Sequence, residues 1–114
     1  MDSRRVLVVE DPLVRRLIHG ILTRGGYTVV QAELWRAFEL LSDPGEAFAL
    51  LITNQPYLFL EFAGNISVLY VAAVPDAEWA AKLPRCRTLH KPFRPQELLE
   101  LTGKLLGNAW AAAV

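Results

Sequence analysis

Residues 48–54 of the chain are Phe48-Ala49-Leu50-Leu51-Ile52-Thr53-Asn54, an apolar run of strand length that stops at an amide side chain. A continuous rather than alternating apolar run is typical of a strand that is covered on both faces, at the centre of a parallel sheet. In open parallel sheets, ligands bind beyond the carboxyl ends of the strands. A chemical site in this protein should therefore have Asn54 near its middle, and that side chain is an amide rather than a carboxylate.

The composition is that of a single globular domain, which we expect to cover residues 1–114. Hydrophobic residues make up 53% of the 114 residues and charged residues 21%, which suffices for one hydrophobic core and excludes a disordered chain. Lys plus Arg and Asp plus Glu both number 12, so the formal net charge is zero. A general nucleic-acid binder would need an excess of cations, so we expect no nucleic-acid partner.

The chain has one cysteine, Cys86, which excludes an internal disulfide and fits a reducing cytoplasm. Its neighbours Arg85 and Arg87 leave two interpretations open, a reactive thiol of lowered pKa or an ordinary strand cysteine. No apolar run approaches the roughly 20 residues that cross a bilayer, and no signal segment precedes the first polar break. We therefore expect a soluble cytoplasmic protein without a membrane partner.

Strand and helix patterns alternate along the chain. The predicted strands are residues 4–9, 27–31, 48–54, 66–72 and 85–89, the last of them polar enough for a sheet edge. The predicted helices are residues 12–24, 33–41 and a final one opened by Pro95, with short pieces at 57–62 and 75–83. Residues 42–45 are predicted to form a turn and residues 90–93 a loop. The β-α-β-α-β order requires right-handed crossovers and a parallel sheet.

Start and stop signals bound the first predicted helix. Asp11 has the residue type of an N-cap, and Pro12 suits the first helical position. Gly25-Gly26 predicts a left-handed cap at the other end. Gly20 lies inside the helix and weakens it by up to ~1 kcal/mol relative to alanine.

Polar side chains follow three of the predicted strands and should converge at one edge of the sheet. Glu10 and Asp11 follow the first strand, Asn54 ends the third, and Lys91 follows the fifth, with Pro92-Phe93 after it. The interval is 43 residues from Asp11 to Asn54 and 37 residues from Asn54 to Lys91.

In this order and at this spacing, the sequence resembles a receiver domain of bacterial two-component response regulators. The matching segments are residues 6–11, Gly26-Tyr27, 50–54, 68–72 and 91–93. The resemblance implies a flavodoxin-like, doubly wound α/β domain with a five-stranded parallel sheet in the order 2-1-3-4-5. Only 12 residues run from Gln55 to Ile66 inclusive, and Ile66 begins the predicted fourth strand, so we expect a shortened third helix.

The resemblance also implies roles for individual residues. In receiver domains a kinase histidine donates a phosphoryl group to an aspartate at the end of the third strand, and an acidic pair after the first strand holds Mg²⁺. The acidic pair corresponds to Glu10 and Asp11, and the lysine that contacts the phosphoryl group corresponds to Lys91. The phosphoacceptor position is occupied by Asn54.

Three positions depart from the family pattern: Asn54 at the phosphoacceptor, Ala72 at the switch hydroxyl and Thr88 at the switch aromatic. Phosphoryl transfer needs a carboxylate nucleophile, and loss of a third carboxylate also weakens binding of Mg²⁺. Thr53 is a poor substitute acceptor, because adjacent strand residues point to opposite faces. The departures imply a pseudo-receiver that is not phosphorylated at the usual position.

The retained residues also have structural interpretations. Asp11 can serve as a helix cap with or without metal, and Glu10 is interpreted as a solvated carboxylate at a strand end. For Lys91 we favour an ion pair with Asp11 or Glu10 over a catalytic use. His19 and His90 are interpreted as ordinary histidines rather than as phosphoryl carriers.

Two classes of function therefore remain. The leading hypothesis is an interaction module, not an enzyme, that requires no cofactor beyond weak binding of Mg²⁺ and contacts a histidine kinase or another signalling protein. The alternative is a receiver that is still phosphorylated, at a non-standard acceptor. A flavodoxin-like nucleotide binder is disfavoured, because Glu10-Asp11-Pro12 places negative charge where a phosphate would need backbone amides.

Aromatic and apolar residues near the C-terminus predict self-association. Trp79 and Trp110 are of the type enriched at interfaces, and residues 108–114 are largely apolar. We predict a homodimer at moderate to high concentration, through the helix at 75–83, the fifth strand and the last helix, or through the last helix and its tail. The alternative is a monomer whose tail folds back or frays.

Overall fold

Five parallel strands form one sheet in the computed structural model, which describes residues 5–107. The strands are β1 (Arg5–Val9), β2 (Thr28–Gln31), β3 (Leu50–Thr53), β4 (Ser67–Ala72) and β5 (Cys86–His90). Their order across the sheet is β2-β1-β3-β4-β5, and every neighbouring pair is parallel, as predicted. β5 lies at the predicted edge.

Helices cover both faces of this sheet. They are α1 (Pro12–Arg24), α2 (Leu34–Ser42), α3 (Ala77–Lys82) and α4 (Pro95–Leu105). One core cluster joins the sheet to α1 and α4, and a second joins the opposite face to α2 and the segment before β4. Within residues 5–107 no helix is both long and apolar enough to cross a bilayer.

The run that predicted a central strand forms β3, although the strand begins at Leu50 rather than Phe48. It pairs with β1 on one side and β4 on the other, and all four of its residues are fully buried. Leu50 and Ile52 enter the core under α1 and α4, while Leu51 enters the core under α2. Burial on both faces favours apolar residues at successive positions, which explains the run Leu50-Leu51-Ile52.

A 3₁₀ helix, Pro56–Phe62, stands in place of a full third helix, as the short crossover predicted. Its backbone departs from helical geometry at Phe59, where φ is −117° and ψ is 23°. The Phe59 ring is buried and stacks on Phe38 of α2 at a centroid distance of 5.0 Å. This short element therefore still closes the core on its side of the sheet.

The glycine pair ends α1 with the predicted cap. Gly26 has a φ of +94°, its N–H donates to Thr23 O at 3.1 Å, and the Tyr27 N–H donates to Leu22 O at 3.0 Å. This arrangement satisfies the last carbonyls of the helix and places the left-handed residue at a glycine. Asp11 stands at the predicted N-cap position and Pro12 at the start of the helix, although the Asp11 side chain makes no capping hydrogen bond.

Several other expectations need correction. His90 is the last residue of β5 rather than part of the following loop, and Ser42 extends α2 rather than opening the turn. Partial burial raises the pKa of the Cys86 thiol to about 11, which contradicts a reactive thiol and supports an ordinary strand cysteine. The predicted tail, residues 108–114 with Trp110, lies outside the described residues.

Candidate functional site

A cleft of about 370 Å³ opens at the carboxyl ends of β1 and β3, and we call it the strand-end cleft. Its polar lining consists of Glu10, Asp11, Arg15, Glu33, Asn54 and Gln55. Three of the residues predicted from the strand ends, Glu10, Asp11 and Asn54, therefore come together. This position is where ligands bind in open parallel sheets.

Glu10 is the buried centre of the site, because its side chain has no exposed surface. Its Oε1 accepts a hydrogen bond from Lys91 Nζ at 3.2 Å and another from the Asp11 backbone N–H at 3.1 Å. Its Oε2 is buried and has no partner among the described residues. The interpretation of Glu10 as a solvated strand-end carboxylate is therefore wrong, since the loop after β5 brings Lys91 over it.

Burial raises the pKa of Glu10 above its ordinary value of 4.5. The hydrogen bond from the Asp11 backbone and the bond and charge of Lys91 act in the opposite direction, while the Asp11 carboxylate raises the pKa further. Desolvation is the largest of these effects, because moving a carboxylate out of water disfavours its charged form. Burial therefore disfavours the charged form of Glu10, and the ion pair with Lys91 stabilises it.

Lys91 is held by two contacts. Its backbone N–H donates to Ala72 O at 2.9 Å, which fixes the loop beside the end of β4. The Lys91–Pro92 peptide bond is cis. Of the two ion-pair partners predicted for Lys91, the structure has Glu10; within residues 5–107 it forms none with Asp11 and no hydrogen bond with Asn54.

Asn54 immediately follows β3 and is half-buried in the cleft wall. The neighbouring Thr53 is fully buried, and its hydroxyl accepts a hydrogen bond from the Gln55 backbone N–H at 3.1 Å. Thr53 does not line the cleft, in agreement with the prediction that it points away from the acceptor position. At the position predicted for the phosphoacceptor, the cleft therefore presents the amide of Asn54.

Arg15 is a residue of the cleft that the sequence reasoning missed. It lies one helical turn after Asp11, and its backbone N–H donates to Asp11 O at 2.8 Å. Its Nη1 donates to Ala32 O at 3.4 Å, while its Nε is buried and without a partner in the described chain. Its position in the first turn of α1, four residues after Asp11 at the end of β1, is the signal that could have found it.

The two positions predicted as degenerate switch positions lie on neighbouring strands of the sheet. Ala72 ends β4, and Thr88 lies on β5 directly opposite Tyr70 of β4. Tyr70 is buried, and its hydroxyl accepts a hydrogen bond from the Asp76 backbone N–H at 3.1 Å. The aromatic ring in this region therefore comes from the neighbouring strand, and it holds the start of α3.

Neither histidine lines the strand-end cleft. His90 is exposed at the end of β5, and His19 is half-buried on α1. Their positions agree with the interpretation of both as ordinary histidines.

The donor set of the cleft does not fit Mg²⁺ well. Magnesium demands near-ideal octahedral geometry of hard oxygen ligands, usually one or two carboxylates together with several waters. Of the three carboxylates in the lining, Glu10 is bonded to Lys91, and Asp11 and Glu33 lie in the same lining as the neutral Asn54 and the positively charged Arg15. Among residues 5–107, no three acidic, histidine or cysteine side chains are grouped as metal ligands would be.

No family model matches the sequence, and no curated protein is significantly similar to it. Solved structures, however, are similar in fold. A response regulator receiver protein from Sinorhizobium medicae has a TM-score of 0.75 at 21% identity, over 92% of this chain and 95% of that one. A response regulator from Thermotoga maritima has the same TM-score and identity, over 92% and 98% of the two chains.

The non-phosphorylated HemR receiver domain from Leptospira biflexa is similar as well, with a TM-score of 0.73 at 20% identity over 92% of this chain and 95% of that one. The chain therefore has the flavodoxin-like fold of response regulator receiver domains. At these identities the comparison establishes the fold, and the function has to be argued from the site.

The raised pKa of Glu10 predicts how stability changes with pH. The folded chain binds this proton more tightly than the unfolded chain, so the stability contributed by protonated Glu10 is lost as pH rises from 4.5 through the folded pKa. The free energy of unfolding of the wild type minus that of Glu10→Gln should therefore fall from pH 4.5 toward neutrality. Urea unfolding across this range measures it, with the exposed Glu61→Gln as a control for loss of a carboxylate. A difference that rises with pH would contradict the assignment.

Proposed function

We propose that the chain is a receiver-like signal-transduction domain of a two-component phosphorelay system that takes no phosphoryl group at the usual position. It acts in the cytoplasm, through protein–protein interaction and not as an enzyme. It requires no cofactor, and its binding of Mg²⁺ is weak. The observation that carries the proposal is Asn54 at the acceptor position of a receiver fold, beside a Lys91 already bound to Glu10.

The chemistry of Asn54 supports the first part of this proposal. An acyl phosphate forms when a carboxylate oxygen attacks phosphorus, and a neutral amide has no comparable nucleophile. Lys91, which by resemblance would contact the phosphoryl group, has its ammonium 3.2 Å from Glu10 Oε1. The cleft therefore lacks the acceptor, and the ammonium that would neutralise a bound phosphoryl group is engaged elsewhere.

The switch region supports a domain with one state. Ala72 has no hydroxyl with which to bond a phosphoryl oxygen, and Thr88 has no ring to reorient. Tyr70, which lies opposite Thr88, is buried and its hydroxyl accepts a hydrogen bond from the Asp76 backbone N–H, so this aromatic ring already has a structural partner. A chemical signal acts by favouring one of two states of a structural element. Neither Ala72 nor Thr88 provides an element with two states.

The partner surface that we propose is the face formed by α3, β5 and α4. On α3, the half-buried Trp79 lies 5.7 Å from the ring of Tyr57, and the Lys82 ammonium lies 4.7 Å from the Trp79 ring centroid. Tyr57 is 41% exposed, so this aromatic pair is accessible to a partner. The partner is a histidine kinase, another signalling protein or a second copy of the chain.

Asp11 is the observation that favours the alternative function. It is an exposed carboxylate in the cleft lining, and it makes no side-chain hydrogen bond among the described residues. A receiver that is still phosphorylated at a non-standard acceptor would have this carboxylate available. The alternative and the main proposal differ in one measurable property, the covalent gain of a phosphoryl group by the wild-type chain.

Treatment with acetyl phosphate and Mg²⁺ followed by intact mass spectrometry tests the proposal. The wild type should gain no phosphoryl group, whereas Asn54→Asp should gain one to a detectable extent, since Lys91 and the acidic residues remain. Asn65→Asp, which adds a carboxylate at an exposed position outside the cleft, is the matched control and should behave as the wild type. A wild type that is phosphorylated as readily as Asn54→Asp would show that Asn54 is not a lost acceptor.

Sedimentation analysis tests self-association. The full chain should dimerise at moderate to high concentration, and a chain ending at Asn108 should dimerise less, because apolar residues after Asn108 bury surface on association. Trp79→Ala in the full chain tests the α3 side of the proposed surface. Equal masses for the full and shortened chains at every concentration would contradict a role for the tail.

A further inference from the structure

The strand-end cleft contains a cation that is not used in an ion pair. Arg15 is half-buried in the cleft lining, with its Nη1 on Ala32 O and its Nε buried without a partner in the described part of the chain. The ion pairs among residues 5–107 are Arg5–Glu46, Arg36–Glu39 and Lys91–Glu10, so no carboxylate lies within 4.0 Å of the guanidinium. Its charge acts on the cleft as a whole.

The charges of the lining nearly balance because of Arg15. The cleft has three carboxylates, on Glu10, Asp11 and Glu33, and two cations, Arg15 in the lining and Lys91 bonded to Glu10. A guanidinium remains protonated at every physiological pH, so its charge cannot be withdrawn. A fixed cation in a partly desolvated cleft repels a divalent cation more strongly than it would in bulk water.

We propose that Arg15 is the resident cation of the strand-end cleft and takes the electrostatic place of a divalent metal. Its guanidinium offsets the charge of Asp11 and Glu33, so the domain keeps the same state with and without Mg²⁺. This inference deepens the proposed function and rests on it, because a cleft that accepts no phosphoryl group has no use for a metal that assists the transfer.

Arg16 provides a matched control for the charge of Arg15. It is the next residue on α1, but it is exposed and does not line the cleft. Substitution of either arginine by methionine changes the net charge of the protein by the same amount. Only a local effect of Arg15 on the cleft can distinguish the two variants.

The experiment measures Mg²⁺ affinity by calorimetric titration in the Asn54→Asp background, where a third carboxylate makes binding measurable. In this background we expect Arg15→Met to tighten Mg²⁺ binding about tenfold, because it removes a nearby repulsive charge. We expect Arg16→Met to change the affinity by less than about twofold, because its exposed charge is screened by solvent and salt. Arg15→Lys, which keeps the charge but loses the guanidinium, should bind as weakly as Asn54→Asp alone. The melting temperature of the wild type should rise less with Mg²⁺ than that of Asn54→Asp.

Equal Mg²⁺ affinities for the Arg15→Met and Arg16→Met variants would overturn the proposal, and so would Arg15→Lys binding as tightly as Arg15→Met. A cooperative melt of each variant establishes that it is folded. If Arg15→Met does not fold, Arg15→Gln, which can still donate to Ala32 O, replaces it with the same expected gain. The titration contains no phosphodonor, so a negative result for Arg15 would not change the outcome of the acetyl phosphate test. A phosphorylated wild type would likewise not change the measured Mg²⁺ affinities.

Discussion

The buried pair of Glu10 and Lys91 is the interaction on which the site depends. A fully buried carboxylate at the end of β1 is costly unless it is paired, and its pairing comes from a loop 81 residues further along the chain. The Lys91 backbone is bonded to Ala72 O, so the pair joins the ends of β1, β4 and β5. The strand order that places β1 and the loop after β5 at one sheet edge is what makes this contact possible.

This pair also determines what the cleft can do. The Lys91 ammonium, which by resemblance would contact a phosphoryl group, forms an ion pair with Glu10. The position that by resemblance would hold the acceptor is occupied by the amide of Asn54. Arg15 supplies a further positive charge in the same lining. On the neighbouring strand, the Tyr70 hydroxyl accepts a hydrogen bond from the Asp76 backbone N–H and so holds the start of α3. Lys91 and Tyr70 are therefore both engaged in structural contacts at this end of the sheet.

The fold was predictable because its signals are local. The apolar run ending at Asn54 predicted a central strand, and the short crossover before the fourth strand predicted a shortened third helix, which the structure forms as a 3₁₀ helix. The side-chain environments were less predictable. The burial of Glu10 depends on a lysine 81 residues away, and the thiol of Cys86 is shielded by packing that its arginine neighbours do not reveal. Arg15 was one of two adjacent arginines, and only the helix face distinguishes it from the next.

The central claim is that the Lys91 ammonium pairs with the Glu10 carboxylate and does not interact with Asn54. Two double-mutant cycles on the free energy of unfolding test this claim most directly. The Glu10→Gln, Lys91→Met cycle at neutral pH should give a coupling energy of about 1–3 kcal/mol, as expected for contacting charged side chains. The Asn54→Ala, Lys91→Met cycle should give a coupling within about 0.5 kcal/mol of zero. A strong coupling of Lys91 to Asn54 together with none to Glu10 would contradict the account.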